Sequence, residues 1–154
     1  MIPLMISGKR NIDYRLVLIG AMLPDLVDKP LGHIILPENN GRIFAHTLLF
    51  AIFFASLSVV SLKMAPLAYG VAFHGLIDST FTDPRATLWP FMGGFEATQF
   101  QVVDWVESLF DPAVIGWEVL GLISLISFLK WGGLTRTGSV IRFLRSGSAA
   151  ESKT

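Results

Sequence analysis

The sequence predicts an all-α integral membrane protein: a helical bundle of three to four transmembrane or half-membrane helices, with one short interfacial helix. Three observations carry this. Hydrophobic residues make up 52% of the chain and charged residues only 16%, against about 25% charged in an ordinary soluble domain. The mean hydropathy is +0.58. Two stretches, 45–62 and 112–130, come close to the roughly 20 apolar residues that a membrane crossing needs.

The 154 residues suggest one domain. We divide the chain into a membrane-embedded helical part, 1–133, and a basic, polar, Ser-rich tail, 134–154, expected to be flexible. The opening "MIPLMISGKRN" is not a signal peptide, because its basic residues follow the apolar run instead of preceding it. Residues 16–27, "LVLIGAMLPDLV", would span only about 18 Å as a helix, short of the ~30 Å hydrocarbon core. Pro30, Pro37 and Asn39-Asn40-Gly41 mark 28–44 as a loop.

Residues 45–62 carry no charge, and Lys63 sits in a tight connection. The apolar stretch 64–80 ends in His74 and Asp78, and a loop rich in Thr, Pro and Gly covers 80–97. Phe100, Val103, Val106 and Phe110 fall at helical spacing within 98–110. That fits a helix lying in the membrane interface, or one that covers a loop. The last span, 112–130, holds one interior acid, Glu118. With no cysteine, disulfides and thiolate metal sites are excluded. A net charge of zero gives no reason to expect nucleic acid.

Lys and Arg set the orientation. With the tail in the cytoplasm, and provided residues 1–27 cross once, the inner segments hold Lys9, Arg10, Arg15, Lys63, Lys130, Arg136, Arg142, Arg145 and Lys153. Lys29, Arg42 and Arg85 lie outside. The opposite orientation inverts this ratio, so a multi-pass protein of the cell's inner membrane with a cytoplasmic tail is expected.

In that topology Asp25 and Asp28 close the first helix at its outer end, and His46 opens the second from outside. His74 and Asp78, four residues apart on one helical face, lie in the outer third of the third helix. His33 and Asp83 belong to the flanking loops. Each residue alone has an ordinary reading: a hydrogen-bonded His–Asp pair, a cap, a turn. Their convergence at one membrane level is what points to a site, because ionisable groups at that depth are costly and face an interior or a polar cavity. Two imidazoles and two or three carboxylates suit a divalent metal ion, zinc or manganese, which would acidify water near neutral pH.

The motifs "GAMLPDLVDKPLG" (20–32), "GRIFAHTLLF" (41–50), "HGLIDSTFTDP" (74–84) and "LWPF" (88–91) occur here in that order. With them the chain resembles the inner-membrane metal-dependent hydrolases, also described as LexA-binding membrane-associated hydrolases, over roughly residues 13–125. The resemblance matches Pro24, Asp25 and Asp28 to one family element and Gly41, Arg42, His46 and Thr47 to a second. His74 with Asp78, and Trp117 with Glu118, match two more. Similar proteins begin with an apolar helix bearing a His just before the "DYRLVL" segment. Here only "MIPLMIS" precedes "GKRNIDYRLVL". Either translation starts upstream, or the site works with one ligand fewer.

The sequence thus leads us to expect a metal-dependent membrane hydrolase. Asp25, Asp28, His46, His74 and Asp78 would serve as metal ligands and catalytic residues, and Arg42 would bind an anionic part of the substrate. The substrate would be a lipid-like ester or phosphoester near the outer leaflet. Expected partners are membrane lipid and, where a neighbouring subunit completes the ligand set, a second copy in a homo-oligomer. The alternative is a non-catalytic membrane protein: a metal or proton carrier, or an interaction protein. A carrier should place polar residues at both leaflets, whereas the inner halves of 45–62 and 112–130 are nearly bare.

Overall fold

The computed structural model describes residues 12–36, 39–98, 103, 106–107 and 109–148. Every regular element among them is helical. Helix α1 runs Tyr14–Pro30, α2 Leu48–Val60, α3 Ala65–Ile77, the short α4 Pro84–Thr87, α5 Pro112–Trp131 and α6 Thr137–Ser146. A π-helical turn, Leu31–Ile35, extends α1, and a 3-10 turn, Phe44–His46, precedes α2. The interfacial helix expected over 98–110 falls largely outside the described residues.

Asp13 starts α1 by accepting the Arg15 N–H at 3.0 Å, the usual role of an N-cap carboxylate. The helix is longer than the hydropathic stretch 16–27, because its polar end from Asp25 to Pro30 stays helical. Pro24 lies inside it and is fully buried; it lacks the N–H that would bond to the Gly20 carbonyl. Thr47 starts α2 by accepting the Phe50 N–H at 3.1 Å. This cap leaves His46 on the 3-10 turn, not on the helix as its place in 45–62 suggested.

The most extensive helix contact is α1 against α3, followed by α2 against α3. Glycines make the first possible. A Cβ on Gly20 would overlap the Leu67 carbonyl, and one on Gly70 would overlap the Val17 carbonyl. The two backbones therefore touch, as small residues allow where helices pack in lipid. Since α1 and α3 run in the same direction, their C-terminal ends and the start of α2 meet at one end of the bundle.

At the other end, Tyr14 meets Phe128 and Trp131 edge-on, with ring centroids 5.8 and 6.2 Å apart. Part of the polar tail is ordered there. Arg15 donates to the carbonyls of Leu144 and Arg145, both at 3.0 Å, and the Tyr14 N–H donates to the Gly147 carbonyl at 2.9 Å. Leu134 and Phe143 are buried. A strongly two-sided sequence, with Val140 and Phe143 on one face and Arg142 and Arg145 among the polar positions, explains why the tail folds into α6 instead of remaining extended.

The distribution of apolar residues is the reverse of a soluble protein's. Among the described residues the buried hydrophobic set is only Ile43, Ala45, Val71, Ala86, Leu134 and Phe143. Val59, Val60 and Trp117 are 84, 87 and 71% exposed. Such continuous apolar exposure needs a cover. Helix α5, 20 residues long, largely apolar and with none of its span buried, is about 30 Å long and matches the hydrocarbon core. It is the one described helix that clearly meets the length for a crossing; Leu48–Val60 and Leu62–Ile77 are apolar but shorter.

Candidate metal centre

The site sits where the C-terminal ends of α1 and α3 meet the turn before α2. Asp28 organises it. Its carboxylate is fully buried and is ringed by donors. The Ile43 N–H donates at 2.8 Å, Ala45 N–H at 2.9 and 3.0 Å to the two oxygens, and His46 N–H at 3.1 Å. The His46 Nδ1 lies 2.7 Å from Oδ2. Four donor groups converge on this carboxylate, all of them reaching Oδ2 and one, Ala45 N–H, shared with Oδ1. Asp28, expected as a metal ligand, is therefore placed behind His46, where it holds the 3-10 turn together.

The same contact fixes the imidazole. An ionised carboxylate only accepts, so Nδ1 carries the proton, and in the neutral ring Nε2 presents a bare lone pair. This back-to-front arrangement, carboxylate to Nδ1 and lone pair outward, is the one that metal-ligating histidines use. Ahead of His46 Nε2 lie His74 Nε2 at 3.2 Å, Asp25 Oδ1 at 3.6 Å and Asp78 Oδ2 at 3.7 Å. His74 Nε2 is 3.8 Å from the same Asp25 oxygen. One ligand atom each from Asp25, His46 and His74 falls within a sphere that a single ion could bridge, all within 4.8 Å of one another. The donor set thus fits a divalent ion by number, chemistry and mutual distance.

Asp25 and Asp78 are each braced by a cation. Lys29 donates to Asp25 Oδ2 at 2.7 Å from one helical turn away. Arg42 donates to Asp78 Oδ1 at 2.8 Å and to the Asp78 carbonyl at 3.2 Å. Both pairs line a cavity of about 590 Å³ together with His33, Asn40, Gly41 and Thr98. That volume is in the usual range for small-molecule sites. Thr80 adds a long hydroxyl contact to Asp78 Oδ2, 3.3 Å.

Of the residues singled out in the sequence, Asp25, His46, His74, Asp78 and Arg42 come together directly, and Asp28 joins them through His46. Asp83 does something else: it caps α4, accepting the N–H groups of Arg85 and Ala86. Trp117 and Glu118 sit on exposed α5, outside the cluster. Lys29, Asn40 and Thr80 were not anticipated. Lys29 had a signal, its i,i+4 spacing from Asp25; Asn40 and Thr80 had none.

The "LWPF" motif also finds a place. Trp89 packs edge-on against Phe44, centroids 5.2 Å apart, and stacks on Phe95 at 5.3 Å. Phe44 is in the turn that bears His46, so this aromatic group supports the turn.

Comparison with known proteins adds one finding. No curated protein and no solved structure matches the chain. The family model of the YdjM inner membrane protein matches residues 2–143, a range that includes every motif behind the resemblance noted in the sequence and every residue of the centre. The chain belongs to the YdjM inner membrane protein family.

Proposed function

We infer that this protein is a metal-dependent hydrolase of the inner membrane that acts on a lipid-like ester or phosphoester. The observation that carries the reading is the Asp28–His46 contact, which commits the His46 Nε2 lone pair toward Asp25, His74 and Asp78. Beyond the one nitrogen–nitrogen contact to His74 at 3.2 Å, the groups gathered on that lone pair are carboxylate oxygens, which are acceptors, and a cation is what such a set holds.

Asp25, His46 and His74 would hold the ion, with Asp78, whose Oδ2 is 3.7 Å from the same His46 nitrogen, completing the set. Zinc or manganese suits two imidazoles and carboxylate oxygens. Such an ion supplies a Lewis acid and acidifies water near neutral pH. Asp28 keeps His46 in the ligating tautomer, and Asp25 and Asp78 each have one oxygen turned to the cluster and one to a cation. Arg42, in the wall of the cavity, is placed to receive an anionic group of the substrate.

In this reading α1, α2, α3 and α5 are the membrane-embedded helices, some of them reaching only part of the way. Arg15, Lys130, Arg136, Arg142 and Arg145 cluster at the end of the bundle opposite the centre. By the positive-inside preference this puts α6 in the cytoplasm and the centre near the outer leaflet. A carrier would need a polar route onward from the centre. The hydroxyls on α2 and α5 are instead turned back on their own helices: Ser56 to Phe53, Ser58 to Ala55, Ser124 to Leu120 and Ser127 to Ile123. This favours hydrolysis over transport.

Elemental analysis of protein purified without chelator tests the reading. About one divalent ion per chain is expected, most of it lost in His74→Ala and in Asp25→Ala. Metal-free wild-type protein would leave the cluster a structural one.

A further inference from the structure

The two histidines have a second side. Behind them, away from the polar cavity, lies an apolar cavity of about 260 Å³ walled by Leu48, Ala51, Val71, Ala72, Leu76 and Phe81, with His46 and His74 in its lining. Asp25 and Asp78 belong to the polar cavity and the histidines to the apolar one. The cluster is thus a partition between two spaces of opposite character. Leu48, Leu76 and Phe81 are exposed, so the apolar space opens on the side that the bilayer covers. Lys29 and Arg42 are exposed at the other mouth.

We propose that the apolar cavity is a hydrocarbon-chain subsite and that the ligand is one anionic amphiphile lying across the centre, its head in the polar cavity and the start of its chain between α2 and α3. This rests on the hydrolytic reading above and narrows its substrate. A water-soluble monoester could use the polar cavity alone and would leave the other unexplained. A lipid at the interface has both parts, already oriented. In the polar wall Lys29 and Arg42 match Asp25 and Asp78 charge for charge, so a divalent ion at the cluster would favour an anionic head.

Competition calorimetry with hexyl phosphate and ethyl phosphate on the detergent-solubilised full chain supplied with zinc, with its retained metal measured in parallel, tests this. Each methylene buried adds about fourfold to affinity. Four extra methylenes should therefore make hexyl phosphate tighter by on the order of a hundredfold, with allowance for incomplete burial. Ala72→Trp and, independently from the facing helix, Ala51→Trp fill the cavity and should bring the hexyl-to-ethyl ratio below about tenfold. Val59→Trp, on the exposed far end of α2, should keep the ratio and shows that a new tryptophan does not by itself unfold the bundle. Absent or equal binding of the two phosphates overturns the proposal. So does a preference for hexyl that survives both filling variants, since the chain would then be seated in detergent. A large, cavity-dependent ratio in a protein that retains no metal would uphold the subsite and remove the hydrolytic reading. Bound metal with a ratio near one does the reverse.

Discussion

Replacing Asp28 by asparagine separates a positioning residue from a ligand. The side chain keeps its shape but loses its charge and one acceptor oxygen. If the new amide nitrogen takes the place of Oδ1, the Ala45 N–H keeps Oδ2 at 3.0 Å, and the amide's own N–H groups are buried facing a donor. If it takes the place of Oδ2, it faces the Ile43 and His46 N–H groups and His46 Nδ1, at 2.8, 3.1 and 2.7 Å. Either way one or two donors are left buried without an acceptor, at about 1–3 kcal/mol each. A loss of about 2–4 kcal/mol in stability follows. In the second orientation Nδ1 accepts, so Nε2 carries the proton and can no longer ligate. Metal affinity should fall by about 10–100-fold, as for other carboxylates behind ligating histidines. Asp25→Asn is the contrast. Its carboxylate is 36% exposed and its bond to Lys29 is at the surface, so it should lose metal with a stability change of no more than about 1 kcal/mol. Thermal unfolding of the apo proteins in detergent gives the first quantity and chelator competition the second. An Asp28→Asn protein as stable as wild type, or one that loses its metal as Asp25→Asn does with no cost in stability, would refute the assignment of Asp28 to the turn.

Three more expectations follow from the packing. Gly70→Leu pushes a side chain into the Val17 carbonyl and Ala21 backbone, neither of which can swing aside; overpacking of this kind costs about 1–3 kcal/mol or more, and the variant should resist thermal or denaturing detergent less well than wild type. Gly147→Ala should undock α6, because Gly147 has φ +72° and a methyl there would meet the Asp13 carboxylate; faster proteolysis between Gly132 and Gly138 reports it, and an unchanged digest would argue against the docked helix. The hydrogen bond from Arg15 holds the Asp13 carboxyl below its ordinary pKa. Its contribution is therefore complete above the ordinary carboxylate value and is lost as pH falls through the lower, folded one, so acid should loosen the same linker in wild type but not further in Asp13→Asn. For topology, cysteine at Thr98 should react with a membrane-impermeant reagent in intact cells and cysteine at Ser148 should not; the reverse would move the centre to the cytoplasmic leaflet.

Much of the centre was legible because its residues are expensive where they lie. His74, Asp78, Asp25 and His46 interrupt apolar stretches, and helical spacing alone gathers them at one end. Their division of labour was not legible. Asp25 and Asp28 look equivalent along the chain, and only the arrival of the 43–46 turn, 15–18 residues later, decides which faces the cluster. The helices over 45–62 and 112–130 followed from hydropathy. The polar end of α1 did not, since nothing apolar marks residues 28–30, and α6 was hidden by a composition that reads as tail. The apolar cavity was invisible for a related reason: Ala51 and Ala72 look like ordinary lipid-facing residues until α2 and α3 are set side by side.

The glycine contact between α1 and α3 also acts as a gauge of height. Asp25 lies five residues beyond Gly20 and His74 four beyond Gly70, on helices that run the same way from that contact. At 1.5 Å per residue the two side chains start within about 1.5 Å of the same elevation. A slip of one helical turn would add about 5.4 Å, beyond what any single ion could span. Apolar side chains alone resist such sliding little, and backbone set against backbone supplies the resistance. Tuning of this centre over evolutionary time is therefore expected at the crossing as much as within the cluster, through changes that never touch its side chains.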